Sequence, residues 1–256
     1  MPVFDSAGLR IHYVTAGDPA SPPILLVHGY CSDYELNWVG SRWQQSLVEA
    51  GFRVVGPDLR GHGHSEKPHD PARYSLLDMA EDAVRLLDHL EIDRADFLGY
   101  SMGARIGLYL AYHHPERLRR AVLAGIGLRQ GASSDTRKAD LIAARMRGDE
   151  TIDDPDAEMF YRFAVARPIN DLEALACCIL GDHRALTDEQ IAEIETPIDI
   201  IAGDQDRIAR DAPELAAALR HGRYDPIHGR THTNAVPARD FKSAAIPFLQ
   251  GRVPPD

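Results

Sequence analysis

Short apolar runs alternate with amphipathic stretches along the first half of the chain. The run from Pro23 to Val27 is continuously apolar and ends at His28-Gly29, as expected of a strand buried on both faces of a sheet. Segment 76–90 instead repeats apolar residues at helical spacing. This alternation predicts βα units that build a mostly parallel central sheet. The predicted strands are 3–5, 9–14, 23–27, 52–56, 95–100, 120–125 and 198–202, and the predicted helices are 37–50, capped by Gly51, then 76–90 and 102–114.

The pattern changes between residues 128 and 195, where strand signals disappear and helix-like pieces take their place. The last piece begins with a capping box formed by Thr187 and Gln190. We therefore expect an α/β fold with a mostly parallel central sheet of about eight strands, flanked by helices. Residues 1–127 and 196–256 would form its core, and residues 128–195 a helical lid inserted after the sixth strand of the same domain. The helix-like pieces are 139–147, 157–166, 171–180 and 187–194.

Composition and charge narrow the possible partners. The chain has 256 residues, of which 44% are hydrophobic and 26% are charged, as in ordinary globular proteins. It carries 28 Lys and Arg against 39 Asp and Glu, which gives a formal net charge of -11. This charge repels phosphate backbones and anionic membrane surfaces, so we expect neither nucleic acid nor a membrane as a partner.

The cysteines, the length of the apolar runs and the absence of metal-binding motifs indicate the cellular compartment and the cofactors to expect. Cys31, Cys177 and Cys178 are an odd number and two are adjacent, which is a poor basis for a disulfide framework. No stretch of 18 apolar residues and no signal-like start is present. We therefore expect a cytoplasmic protein. Because neither a His-Glu-x-x-His motif nor cysteine pairs at zinc spacing occur, we expect no metal, and we expect no other cofactor.

The segment Gly99-Tyr100-Ser101-Met102-Gly103 is a Gly-x-Ser-x-Gly motif. It follows a predicted strand and opens a predicted helix, which is the context in which such a serine stands on a tight, exposed turn. A serine hydroxyl is a weak nucleophile near neutral pH, so it needs a base within hydrogen-bond reach and a third group that orients the base. Ser101 is therefore the candidate nucleophile.

Candidates for the other two groups lie later in the chain, in the order acid then histidine. Predicted strand 198–202 ends in a turn that holds Asp204 and Asp206, at the sheet edge where functional groups of α/β folds gather. Segment 224–232 supplies two candidate bases, His228 and His232. The pattern alone leaves both pairs open.

Four stretches together resemble the α/β-hydrolase superfamily over nearly the whole chain. They are His28-Gly29-Tyr30, the loop 58–65 that is similar to the D-x-R-G-x-G-x-S loop of the family, the motif at Ser101, and the paired turns 203–206 and 229–232. The resemblance implies that Asp206 is the acid and that His232 is the base. His228 is kept as the alternative base. Arg230 and Thr231 depart from the small residues that relatives carry there.

The resemblance also implies where the substrate would lie. Acyl transfer needs donors for the oxyanion, and the main-chain N–H groups of Tyr30 and Met102 are expected to supply them. Cys31 would either line the pocket or be an ordinary buried thiol. The lid residues would either face the acyl group or hold the lid helices together. The expected substrate-binding residues are His28, Gly29, Cys31, Met159, Phe160 and Phe163.

The resulting hypothesis is a serine hydrolase of a small or medium carboxylic ester, possible variants being a lactone or a thioester. An aspartate at position 101 would have indicated dehalogenase or epoxide-hydrolase branches, and Ser101 argues against both. One alternative is a carbon–carbon bond hydrolase of the meta-cleavage type, although segment 30–33 lacks the glycine-rich loop usual in those proteins. Another is a ligand receptor built on a hydrolase scaffold. The sequence does not indicate an oligomeric state.

Overall fold

The computed structural model describes residues 1–128 and 136–252 of the chain. Eight strands form one sheet in the order β1-β2-β4-β3-β5-β6-β7-β8. The pairs β1–β2 and β2–β4 are antiparallel, and all the other neighbours are parallel. The predicted mostly parallel sheet of eight strands is therefore confirmed. The strands are β1 Val3–Ser6, β2 Leu9–Ala16, β3 Pro23–Val27, β4 Arg53–Pro57, β5 Ala95–Tyr100, β6 Leu118–Ala124, β7 Ile198–Gly203 and β8 Gly222–Ile227.

Both faces of the central strands are covered, which explains their continuous apolar sequence. In β3, Leu25 and Val27 belong to the hydrophobic cluster on one face of the sheet, whereas Ile24 and Leu26 belong to the cluster on the other. The buried ring of Trp43 joins the second cluster. With both faces packed, the edge formed by the carboxyl ends of the parallel strands is left for a site. The helices beside the sheet are α1 Trp43–Glu49, α2 Leu76–His89, α3 Met102–His113, α8 Ala212–Ala218 and α9 Arg239–Leu249.

The predicted helix 37–50 is wrong in its first half. A π-helical turn spans Glu35–Val39, and α1 begins only at Trp43 because Arg42 adopts a left-handed conformation with φ of 64°. The hydroxyl of Ser41 donates to the carbonyl oxygen of Asn37 at 2.5 Å. This side-chain bond competes with the regular helical ladder and favours the break.

Among the described residues, four α-helices lie between β6 and β7 in chain order, as predicted. The last of them starts with the predicted capping box, since the Thr187 hydroxyl accepts from the Gln190 N–H and the Gln190 side chain accepts in return from Thr187. Within the described parts of the chain, no helix is long and apolar enough to cross a membrane. The division of the domain into a core and a lid stays a prediction. These helices are α4 Thr136–Met146, α5 Pro155–Val165, α6 Leu172–Ile179 and α7 Asp188–Ala192.

Candidate active site

Ser101 stands on a strained turn between β5 and α3. Its backbone has φ of 53° and ψ of -116°, a conformation that side-chain-bearing residues rarely adopt. Glycines flank it because neighbouring chain comes too close for a side chain. A Cβ on Gly99 would lie 2.5 Å from the carbonyl oxygen of Gly103, and one on Gly103 would collide with the carbonyl oxygen of Val27. The two glycines of the motif thus allow the turn that carries Ser101.

Gly103 gives a test of this packing in which two effects have opposite signs. Alanine in place of glycine inside a helix ordinarily stabilises the helix by about 1 kcal/mol. For Gly103→Ala we expect the reverse, a loss of about 1–3 kcal/mol, because the new methyl group meets the main chain of Val27 and His28. Urea denaturation of the variant and the parent protein measures the difference. A more stable variant would show that α3 is not held against β3 in this way.

The structure brings Ser101, His232 and Asp206 together. The Nε2 atom of His232 lies 3.0 Å from the Ser101 hydroxyl oxygen, and its Nδ1 atom lies 2.8 Å from Oδ2 of Asp206. Because a carboxylate only accepts hydrogen bonds, Nδ1 carries the proton and Nε2 is left as an acceptor for the hydroxyl. The imidazole is thus held in the tautomer that can take a proton from serine.

The Asp206 side chain is also fixed by hydrogen bonds and by burial. Its other oxygen, Oδ1, accepts the main-chain N–H groups of Ile208 at 2.9 Å and Ala209 at 3.2 Å. The residue is only 3% exposed. Behind the imidazole, the Tyr100 hydroxyl donates to the His232 carbonyl oxygen at 2.5 Å, and burial raises the pKa of this tyrosine. The acid and the base therefore have fixed positions before any substrate binds.

The second acid and the second histidine pair with each other away from Ser101. His228 Nδ1 lies 3.2 Å from Oδ2 of Asp204, and their side chains are 85% and 41% exposed. The hydrogen bond from His228 lowers the pKa of the Asp204 carboxyl group. Of the two pairs that the sequence left open, only Asp206 and His232 reach Ser101.

The loop after β3 lies directly against this serine. A Cβ on Gly29 would lie 3.4 Å from Cβ of Ser101, so the loop could approach no closer with a larger residue. The next residue, Tyr30, also lines the cavity beside Ser101, and its hydroxyl donates to the carbonyl oxygen of Leu175 in α6 at 2.8 Å. On the other side, Met102 is the first residue of α3, where a main-chain N–H has no acceptor within the helix.

A small cavity of about 80 Å³ opens beside Ser101 and His232. Four of the six expected substrate-binding residues line it: Gly29, Met159, Phe160 and Phe163. Five further lining residues were not predicted from the sequence. The only sequence signal for them is that they lie close along the chain to Tyr30, Ser101 or His232. They are Ser32, Asn37, Tyr100, Thr233 and Val236.

His28 and Cys31, the remaining two, do not line this cavity. The Nδ1 atom of His28 donates to the Gly29 carbonyl oxygen and its Nε2 atom accepts the Leu59 N–H at 3.0 Å. Burial lowers the pKa of this histidine, which favours the neutral form that these contacts need. Burial likewise raises the pKa of the Cys31 thiol, so it stays uncharged. Both residues brace the loop from behind.

A second buried histidine fixes the same loop. His62 donates from Nδ1 to the Arg60 carbonyl oxygen and accepts the Cys31 N–H on Nε2 at 3.3 Å. Burial lowers its pKa to about 3, so the accepting nitrogen stays free of a proton near neutrality. No group of three or more His, Cys, Asp or Glu residues that could hold a metal ion occurs in segments 1–128 and 136–252.

Comparisons with known proteins agree with this architecture. Residues 22–147 match the family model described as alpha/beta hydrolase fold. The chain is 39% identical to 2-hydroxymuconate semialdehyde hydrolase of Pseudomonas sp. (strain CF600) over 120 residues, which is 47% of this chain and 41% of that protein. It is 26% identical to 3-oxoadipate enol-lactonase 2 of Acinetobacter baylyi over 95% of this chain and 97% of that protein.

A solved structure is similar over nearly the whole chain. The enol-lactonase from Burkholderia xenovorans LB400 superposes with a TM-score of 0.79 and 28% identity, covering 97% of this chain and 100% of that one. The match thus covers less than half of the 2-hydroxymuconate semialdehyde hydrolase, but 97% and 100% of the two lactonases.

Proposed function

We propose that this chain, a member of the α/β-hydrolase fold family, is a serine hydrolase that cleaves a small or medium carboxylic ester through an acyl-Ser101 intermediate. One observation carries the proposal: His232 bridges the Ser101 hydroxyl and the buried Asp206 carboxylate at 3.0 and 2.8 Å. A serine, a histidine in the accepting tautomer and a carboxylate that fixes it are what acyl transfer requires.

The first half of the reaction follows from these contacts. As the Ser101 oxygen attacks the ester carbonyl, its proton passes to Nε2 of His232. The imidazolium that forms is stabilised by Asp206, which keeps its negative charge. The carbonyl oxygen becomes an oxyanion, and the N–H groups of Tyr30 and Met102 are proposed to donate to it. The tetrahedral intermediate then breaks its bond to the alcohol oxygen, and the proton held by His232 passes to that oxygen.

The second half repeats these steps with water. His232 accepts a proton from a water molecule that attacks the acyl carbonyl, and Ser101 is the leaving group that regains the proton. The result is a carboxylic acid and free enzyme. All groups that move protons belong to the chain itself, so we propose that no cofactor is needed.

The walls of the cavity indicate the kind of substrate. Met159, Phe160 and Phe163 of α5 cover it with apolar surface, so we propose that α4 to α7 act as a lid over the acyl group. A cavity of about 80 Å³ suits a compact group. The full-length similarity to two enol-lactonases favours a lactone among the possible esters, ahead of a thioester.

Pre-steady-state kinetics with an activated aryl ester of a short acid tests the proposal. If the acyl-enzyme accumulates, the aryl alcohol should appear in a burst of about one equivalent per chain before the slower steady rate. A ligand receptor on this scaffold would release no aryl alcohol above the uncatalysed rate. Hydrolysis at an unchanged rate in a Ser101→Ala variant, with no acyl group found on the quenched parent protein, would contradict the proposal.

Carbon–carbon bond hydrolysis is the second candidate, and the 39% identity to a 2-hydroxymuconate semialdehyde hydrolase favours it. Against it stands the loop Tyr30-Cys31-Ser32-Asp33, which holds a tyrosine and an aspartate where those proteins are glycine-rich. Turnover of a vinylogous diketone at a higher kcat/KM than any ester would make it the better assignment.

A further inference from the structure

The Asn37 side chain is a buried polar group beside the site whose contacts are incomplete. It is only 6% exposed, and it lines the cavity that contains Ser101. Its Oδ1 atom accepts the main-chain N–H of Gly29 at 3.4 Å. Its Nδ2 atom has no hydrogen-bond partner among the described residues. A buried amide donor without a partner costs free energy, which a bound molecule can recover.

The orientation of this amide is set by its neighbours. Gly29 offers an N–H, which only the oxygen of the carboxamide can accept, so the NH₂ group must point the other way. The main chain of Asn37 is also fixed, since its N–H donates to the Asp33 carbonyl oxygen at 3.0 Å and its carbonyl oxygen accepts from Ser41. The donor is thus held in place in advance.

Asn37 lies where two cavities meet. A second cavity of about 260 Å³ adjoins the one beside Ser101, and the two share lining residues. A substrate with its carbonyl at Ser101 and a longer group in the second cavity would pass the side chain of Asn37, whose Nδ2 atom is buried beside this path. The residues common to both cavities are Ser32, Asn37, Phe163, Thr233 and Val236.

The residues that line the two cavities also indicate the charge of a substrate group that could bind near Asn37. Within the described residues, neither cavity is lined by a lysine or an arginine. A carboxylate placed there would lose hydration and meet only neutral donors, which do not compensate for a buried charge. A neutral oxygen needs only one donor.

We propose that Asn37 is a specificity-determining residue whose Nδ2 donates a hydrogen bond to a neutral keto or ether oxygen of the substrate, separate from the reacting ester group. The inference rests on the proposed ester hydrolysis at Ser101. It assigns the substrate to uncharged, oxygen-bearing esters and disfavours esters with a free carboxylate.

Pairs of esters that differ by one oxygen test the assignment. One pair is phenyl 4-methoxybutanoate and phenyl hexanoate, and the other is 2-methoxyethyl butanoate and butyl butanoate. In each pair an ether oxygen replaces a methylene group of similar size. We expect kcat/KM of the parent protein to favour the ether in at least one pair by about tenfold, the size of effect typical of one hydrogen bond.

Two variants separate recognition from structural support. Asn37→Ala removes the donor, whereas Asn37→Asp keeps an acceptor for the Gly29 N–H and places a second oxygen where the NH₂ was. In both, the preference for the ether should fall to one or below. The methylene ester is the control, since damage to the loop would slow both members equally and leave their ratio unchanged.

The possible failures can be told apart. Ser101-dependent hydrolysis with no ether preference in either pair, or a preference that survives in both variants, would overturn this inference and leave the proposed function standing. Absence of any Ser101-dependent hydrolysis would overturn the proposed function and the inference with it.

Discussion

Ser101→Ala is expected to lower kcat on an activated short-chain ester by about six orders of magnitude, close to the rate without a nucleophile. The hydroxyl oxygen of Ser101 is the atom that forms the covalent bond, and the structure places the accepting nitrogen of His232 3.0 Å from it. Among the described residues, Ser101 is the only side chain that hydrogen-bonds to this nitrogen. The measurement is steady-state hydrolysis corrected for the uncatalysed rate.

The variant should remain folded, because the removed hydroxyl makes no structural contact other than the one to His232 among the described residues. Ser46→Ala on α1 is the matched control, since it removes a serine hydroxyl bonded only to the main chain of Arg42. It should keep the parent rate within about twofold. A Ser101→Ala protein with near-parent turnover would mean that the reaction, or the residue, is another one.

Asp206→Asn is expected to lower kcat by about four orders of magnitude with little change in structure. The reason lies in the two N–H groups that Oδ1 accepts from Ile208 and Ala209. In asparagine, the single oxygen must stay there, so the NH₂ group would face Nδ1 of His232. That nitrogen would then have to accept, which moves its proton to Nε2 and removes the acceptor that Ser101 needs.

The neighbouring carboxylate supplies the control. Asp204→Asn changes the same kind of side chain two residues away, at an exposed pair with His228. We expect its kcat to stay within a few-fold of the parent protein, because this pair does not reach Ser101. Equal losses in the two variants, or a larger loss in Asp204→Asn, would contradict the assignment of the acid.

The strands were the most predictable part of the fold, for a physical reason. Both Pro23–Val27 and Ala95–Tyr100 have the predicted bounds, since a strand buried on both faces must be apolar along its whole length. The break before Trp43 was not predictable in the same way. The apolar residues of segment 37–50 keep helical spacing across the break. The bond from the Ser41 hydroxyl to the Asn37 carbonyl oxygen favours the break, and it becomes visible only in the folded structure.

The residues of the candidate site likewise differ in how far the sequence could predict them. Ser101 was identified because its turn imposes glycines at fixed positions, and these are visible in the sequence. Asp206 and His232 were placed by resemblance, and spacing alone could not rank them above Asp204 and His228. Asn37 was missed entirely. It lies in the π-helical turn Glu35–Val39 and lines the cavity. The pattern of apolar and polar residues in this segment does not predict such a turn.

The most direct test of the account is to identify the atom that becomes acylated. The protein would be incubated with a fluorophosphonate, which forms a stable adduct with an activated serine, and the modified peptide would be mapped by mass spectrometry. The account predicts a single adduct on Ser101, formed at a strongly reduced rate in Asp206→Asn. An adduct on another residue that accompanies loss of hydrolysis, or full hydrolytic activity after Ser101 is completely modified, would contradict it.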